Sequence, residues 1–328
     1  MALTIASPAT SFDSTHARVY REAALLMPQQ DFVALSGRQP QLMQSAEKFQ
    51  GILKYYEIKP GYLLMVRLFH ALGFDLVSST YLPSLVSYFL LGCLLLVWLR
   101  QLFDIVFASI ITLGICALPF MVQTARYSSP DMLCAALLLV GIYFISENRF
   151  PSWGLLPLSL AIAVRPDAVI LFLFLTLVLV RDKKISGIAA TGIMILGSIF
   201  SFLMVGGHLL MDYVFTTSPY SPQWGAVELL THYMNSLTDG LNSIMNSQTI
   251  VMMFLAVTSL FMRVKMGYSL SNDLWSLLVI SSLATFVLRY LLHPVIEDRL
   301  MLACYLVIII GFCKTIREVL PSRSRRTD

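Results

Sequence analysis

Between about residues 82 and 313 the chain is a succession of apolar runs, each set off from the next by a short polar cluster. A helix that crosses the roughly 30 Å hydrocarbon core of a bilayer needs about 20 apolar residues, or about 17–25 allowing for tilt. Seven runs approach that pattern: residues 81–99, 105–123, 131–145, 185–210, 249–262, 274–292 and 300–313. Only 13% of residues are charged and 57% are hydrophobic, with a mean hydropathy of +0.74. A soluble domain averages about 25% charged, so the composition excludes one. The net charge of +4 is no nucleic-acid signal, because the basic residues sit in loops between apolar runs. Cys93, Cys116, Cys134, Cys304 and Cys313 are scattered singly within those runs. That is the pattern of small buried apolar residues, and it implies neither a disulfide framework nor a metal site.

The segment 153–180 is broken by Arg165-Pro166-Asp167. Proline disfavours helical geometry in the residue before it. The reading is two short helices, 153–164 and 167–180, meeting in a turn at the membrane edge, which is tolerated where protein or a cavity surrounds it. The expected fold is therefore an all-α polytopic membrane protein with about 7 full spans, a broken two-helix segment and outer interfacial helices.

Orientation follows from Lys and Arg in the short loops. One face carries twelve basic residues: Arg100, Arg149, Arg181, Lys183, Lys184, Arg263, Lys265, Lys314, Arg317, Arg323, Arg325 and Arg326. The other carries four: Arg126, Arg165, Arg289 and Arg299. The tail 314–328 is then cytoplasmic, the transmembrane domain covers 81–313, and its large outer loop covers 211–248. Nine passes put residues 1–80 outside as well. Met1–Thr15 lacks a basic start and a long apolar run, so it does not read as a signal peptide, and the expectation is a helix upstream of Met1 or an unconventional export route. Within 1–80, residues 16–26 and 44–52 read as short helices. Residues 62–72 are apolar but short and carry Arg67 and His70, which suits a helix lying in the interface. The aromatics Tyr213, Tyr220, Trp224 and Tyr233 of the outer loop fit an interfacial belt.

Three polar clusters fall on the outer side: Arg126-Tyr127-Ser-Ser-Pro-Asp131, Arg165-Pro166-Asp167, and His293-Pro-Val-Ile-Glu297-Asp298-Arg299. An ionisable group near hydrocarbon costs about 2.5–3.5 kcal/mol on insertion scales. Three clusters of arginine with carboxylate on one face point to handling of an anion at that surface.

In order and sidedness, several stretches resemble the GT-C superfamily of membrane glycosyltransferases, in particular the lipid A aminoarabinose transferase and protein mannosyltransferase branch. They are Phe12-Asp13 with Val19-Tyr20-Arg21-Glu22-Ala23-Ala24, Ile58-Lys59-Pro60-Gly61-Tyr62-Leu63-Leu64, Ala125-Arg126-Tyr127 with Pro130-Asp131, Leu160-Ala161-Ile162-Ala163-Val164-Arg165-Pro166-Asp167, and Asp298-Arg299-Leu300. Each alone is weak; together they cover nearly the whole chain. The chain departs from the family pattern at Ser14, Gly61 and Leu300, and lacks its first transmembrane helix. The resemblance implies transfer of a sugar from a polyprenyl-phosphate donor to a lipid, glycan or protein acceptor. Asp13 would be the catalytic base, with Asp131 second. Lys59, Arg126, Tyr127, Arg165, Glu297 and Arg299 would bind substrate, the cations stabilising a phosphate leaving group. A divalent metal is left open. The implied partners are the lipid-linked donor, membrane lipid and an acceptor, with no nucleic acid, and the implied location is a bacterial inner (plasma) membrane.

Other readings stand beside these. Arg126 with Asp131, Arg165 with Asp167, and Arg299 with Asp298 also read as structural ion pairs. Glu297 and Asp298 also read as solvated loop residues. Arg289 reads as a side chain snorkelling to the surface, and His208 as structural. A lipid-linked sugar transporter or flippase, or a noncatalytic relative that keeps lipid binding, are the alternative functions.

Overall fold

The computed structural model describes residues 12–38, 43–46, 49, 59–147, 151–181, 226–292 and 297–320. Among these there is no strand, and every regular element is a helix. The first part holds α1 (Phe12–Leu26), α2 (Gln29–Arg38) and α3 (Pro60–Ala71). Then come α4 (Leu76–Leu99), α5 (Ile105–Cys116), α6 (Pro119–Arg126), α7 (Asp131–Ser146) and α8 (Pro151–Val164). A 3-10 turn, Pro166–Ala168, leads into α9 (Val169–Arg181). The last part holds α10 (Ala226–Asn246), α11 (Thr249–Lys265), α12 (Leu274–Leu292), a 3-10 turn Asp298–Met301 and α13 (Leu302–Val319).

Local chemistry sets many of these boundaries. Asp75 caps α4 by accepting from Ser78 N at 2.9 Å. Asp104 caps α5 by accepting from Val106 N and Phe107 N. Such caps contribute about 1 kcal/mol each. Pro60 and Pro119 open α3 and α6, where the missing N–H costs nothing.

Apolar side chains fill the interior and also cover much of the outside. Exposed positions include Leu85, Phe89 and Leu90 of α4, Ile110 and Leu113 of α5, and Phe254, Val257 and Phe261 of α11. Small polar residues lie inside: Ser79, Ser84 and Ser87 of α4, Ser281, Ser282 and Thr285 of α12, and Thr315 of α13. Apolar exteriors with small polar residues between helices are what lipid as solvent favours. At the α7–α8 contact the backbones meet. A Cβ built on Gly154 would lie 2.6 Å from Gly141 O, and one on Gly141 would lie 2.5 Å from Leu158 Cγ. α13 is the central element, packing against α7, α11 and α12.

Three described helical stretches are long and apolar enough to cross a membrane: Leu76–Leu99, Leu274–Leu292 and Asp298–Val319. Ile105–Cys116 with Pro119–Arg126 makes a fourth if counted as one span, although the pair is bent by 60°. These helices are consistent with an integral membrane protein. The expectation of seven spans is not met among the described residues, for identifiable reasons. The run 105–123 breaks because Leu118 precedes Pro119 and sits at φ −60°, ψ 140°, the extended geometry that proline imposes on its predecessor. α7 has 16 residues, a length of about 24 Å at about 1.5 Å per residue. α11 has 17 and ends in Arg263 and Lys265. The run 185–210 and His208 lie outside the described residues.

The break at 165–167 has the expected form: α8 ends at Val164, Arg165 is extended, and α9 starts at Val169. α3 keeps Tyr62, Leu63 and Val66 buried, while Leu64, Leu68 and Leu72 are exposed. That exposed stripe suits an interfacial helix. Within the segment 211–248, residues 226–246 form a 21-residue helix. It is held by Tyr290 donating to Leu237 O and Tyr233 donating to Leu291 O.

Candidate functional site

Four elements bring their charged ends together. Asp131 opens α7, Arg165 and Asp167 sit in the turn between α8 and α9, and Arg289 lies in the last turn of α12. Arg165 donates through Nη1 to Asp131 and through Nη2 to Asp167; its Nε donates to Asp167 Oδ1 at 2.8 Å. Arg289 reaches Asp167 Oδ2 at 2.7 Å and donates to Leu300 O at 2.6 Å. Asp131 and Arg165 are each only 5% exposed and Arg289 7%. The snorkelling reading of Arg289 is therefore overturned: two acceptors inside the protein hold its guanidinium. Asp131 pairs with Arg165, not Arg126, so that expected ion pair is also corrected.

These side chains line a cavity of about 40 Å³. One water needs about 10–15 Å³ by this kind of measure, so the cavity has room for water but is too small for a substrate. Beside it lies a polar cleft of about 370 Å³, lined by Phe120, Gln123, Thr124, Tyr127, Glu297, Asp298 and Arg299. Ligand pockets run from about 300 to 1,000 Å³, so a small ligand or a headgroup fits here.

Arg299 belongs to both spaces. Its Nε pairs with Glu297 and lies 3.8 Å from Asp131 Oδ2. Its guanidinium carbon stands 5.4 Å from the centre of the Tyr127 ring. Among the described residues neither Nη of Arg299 has a hydrogen-bond partner. The expected pair of Arg299 with Asp298 is not formed. Asp298 instead accepts from Tyr305 Oη at 2.9 Å, and Tyr305 Oη is 2.5 Å from Thr249 Oγ1.

Lys59 caps α3, half-buried. Gly61 rests on the last turn of α8, where an added Cβ would lie 3.0 Å from the Ala163 carbonyl carbon. That contact brings Lys59 beside Arg165. Dehydration of its ammonium, then repulsion from Arg165, pushes Lys59 down to about 8, with Arg299 acting the same way and Asp131 and Asp167 opposing. Arg126 is exposed and lines neither space. Asp13 falls in the first turn of α1, which packs against α4; its side chain lies outside the described ones. His293 also lies outside them.

The site thus gathers Asp131, Arg165 and Arg299, places Lys59 against them and Tyr127 and Glu297 on the cleft, and leaves Arg126 apart. Sequence reasoning missed Arg289 as a member and read Asp298 only as a partner of Arg299 or a solvated loop residue. Among the described residues no cluster of three His, Cys, Asp or Glu side chains is placed to hold a metal ion. No protein-family model matches the chain, and neither a curated protein nor a solved structure matches it significantly.

Proposed function

We propose that the chain is an integral membrane glycosyltransferase of bacterial plasma-membrane type, taking its sugar from a polyprenyl-phosphate donor at the outer face. The observation that carries the reading is the open fork of Arg299, with both Nη groups unengaged among the described residues, in a polar cleft of about 370 Å³. A guanidinium so placed can bind two phosphate oxygens at once. As the sugar–phosphate bond breaks, negative charge grows on the leaving phosphate, and a fixed cation there lowers the barrier. Lys59 adds a second positive charge. Tyr127 holds the Arg299 plane from one side, a cation–π contact of the kind that contributes about 0.5–2 kcal/mol.

Geometry divides the arginines by task. Arg165 spends its donors on Asp131 and Asp167, so it fixes the turn that carries the site. Arg299 faces the ligand. The resemblance to GT-C enzymes in the stretches around Asp13, Lys59, Asp131, Arg165 and Arg299 supplies the sugar-transfer chemistry. The test is transfer of labelled sugar from polyprenyl-phosphate donors by the purified chain in proteoliposomes, with polyprenyl-phosphate binding measured alongside. Arg299→Ala should weaken binding and transfer together. A wild-type chain that neither binds polyprenyl phosphate nor transfers sugar refutes the proposal.

A further inference from the structure

The carboxylates at the site are not equivalent. Asp131 is 5% exposed, with Oδ1 taken by Arg165 and Oδ2 facing Arg299 at 3.8 Å. Burial denies it an acceptor hydroxyl, and its charge is balanced by Arg165 and Arg299. Glu297 also lines the cleft, but its Oε2 is ion-paired with Arg299. Among the described residues no arginine pairs with Asp298. It lines the cleft of about 370 Å³, and Oδ1 accepts from Tyr305 at 2.9 Å. Among the described residues Oδ2 has no partner.

The support behind it is buried. Tyr305 is 2% exposed and Thr249 1%. Their hydroxyl oxygens are 2.5 Å apart. Tyr305 has one proton and gives it to Asp298, so Thr249 must donate to the Tyr305 oxygen. The chain of donation runs from Thr249 to Tyr305 to Asp298, from the core of α11 and α13 outward to the cleft. Such a chain fixes the direction of the free Asp298 oxygen and engages only one of its two oxygens.

We propose that Asp298 is the base that takes the acceptor's proton, with Tyr305 and Thr249 as its positioning residues. The inference rests on the reading of the cleft as a sugar-transfer site. The acceptor hydroxyl gives its proton to Asp298 Oδ2 while its oxygen bonds to the anomeric carbon. The bond from that carbon to the phosphate oxygen breaks, and the polyprenyl phosphate departs with the electron pair beside Arg299. Asp298 then releases the proton to water. Asp131 becomes part of the clasp, and the role that the resemblance gives to Asp13 passes to Asp298.

The experiment compares the wild-type chain with Asp298→Asn, Tyr305→Phe and Asp13→Asn in proteoliposomes, measuring transfer over a range of pH and polyprenyl-phosphate binding on the same samples. Asp298→Asn should lower kcat by about 10²–10⁴-fold with polyprenyl-phosphate affinity within twofold of wild type. Tyr305→Phe should keep KM, lower kcat, and move the acidic limb of the kcat–pH profile, which a merely structural loss would not do. Normal transfer by Asp298→Asn alongside loss in Asp13→Asn overturns the inference and leaves the cleft reading standing. Loss of polyprenyl-phosphate binding in Asp298→Asn also overturns it, since the residue would then act in binding. Absence of both binding and transfer in the wild type overturns the cleft reading itself.

Discussion

The buried clasp makes a quantitative demand on Asp131. Two carboxylates, Asp131 and Asp167, face two guanidinia, Arg165 and Arg289, and three of the four residues are less than 9% exposed. Removing one partner of such a pair leaves an uncompensated buried charge and costs about 3–5 kcal/mol. Asp131→Asn keeps the size and one acceptor oxygen, so the lower end, about 3 kcal/mol, is expected. Arg165→Met strips Asp131 of its main partner and half the pairing of Asp167, for about 3–5 kcal/mol. The double variant removes one charge of each sign, so it should cost at least about 2 kcal/mol less than the sum of the singles. Hydrogen bonds between membrane helices average about 0.6 kcal/mol and reach about 1.7, so a coupling of this size marks charge pairing. The assay is reversible unfolding in mixed micelles by SDS titration, with exposed Arg126→Ala as a control expected within about 0.5 kcal/mol of wild type. Singles that cost less than about 1 kcal/mol, or that add within about 0.5 kcal/mol, refute the clasp.

Lys59 carries a pH prediction. Its folded value near 8 lies below the ordinary 10.5, so between those values the unfolded chain binds more protons and stability rises with pH. Over the same window the ammonium loses its charge, so affinity for a phosphate headgroup should fall as pH rises through about 8. Lys59→Arg should abolish that fall in a binding titration; an unchanged profile counts against it. Gly141→Val should cost about 1–3 kcal/mol or more by overpacking, because a Cβ there meets Leu158 and Gly154 within 2.8 Å. Gly114→Ala, with nothing within 4 Å, should be tolerated in the same SDS titration. Cysteine labelling in intact cells should place Arg181-Asp182-Lys183-Lys184 inside and residues 222–235 outside; the same side for both rejects the proposed topology.

Much of the helical frame was legible because length and apolarity alone decide it: the run 274–292 coincides with α12. Pro166 announced the turn between α8 and α9, since proline acts on local backbone whatever surrounds it. Pro119 carries the same signal, but the continuous apolarity of the run 105–123 masks it, and the bend there is 60°. Within 211–248, Leu230, Tyr233, Leu237, Leu241 and Ile244 recur at helical spacing. The aromatic and polar composition of the segment concealed that period. The partners at the site were not legible. An arginine at the end of an apolar run looks the same whether it turns outward or, as Arg289 does, inward to Asp167. Nor could the sequence distinguish a locked Asp131 from a half-free Asp298, because the difference depends on Tyr305 reaching back seven residues from α13.

The opposite end of α13 separates stability from recognition. There Arg263, 1% exposed, donates to Asp273 Oδ2 at 2.6 Å and Oδ1 at 2.9 Å. It also donates to Thr315 at 3.1 Å and lies 3.0 Å from Glu318. Ser259 and Thr315 meet at 2.9 Å. This cluster ties α11, the start of α12 and the end of α13 together, while at the cleft end Thr249–Tyr305 ties α11 to α13 and Arg289–Leu300 ties α12 to the turn that leads into α13. Helices pinned at both ends hold Asp298 against Tyr305 without help from a ligand. None of the inner cluster lines the cleft. Arg263→Met should therefore cost about 3–5 kcal/mol, yet the folded fraction should bind polyprenyl phosphate with unchanged affinity. Arg299→Ala should do the reverse, weakening binding with little loss of stability, since Arg299 is 35% exposed at its side chain. Binding isotherms corrected for folded fraction, beside SDS titrations of both variants, decide the matter. A fall in intrinsic affinity in Arg263→Met would mean that the two ends of α13 are coupled.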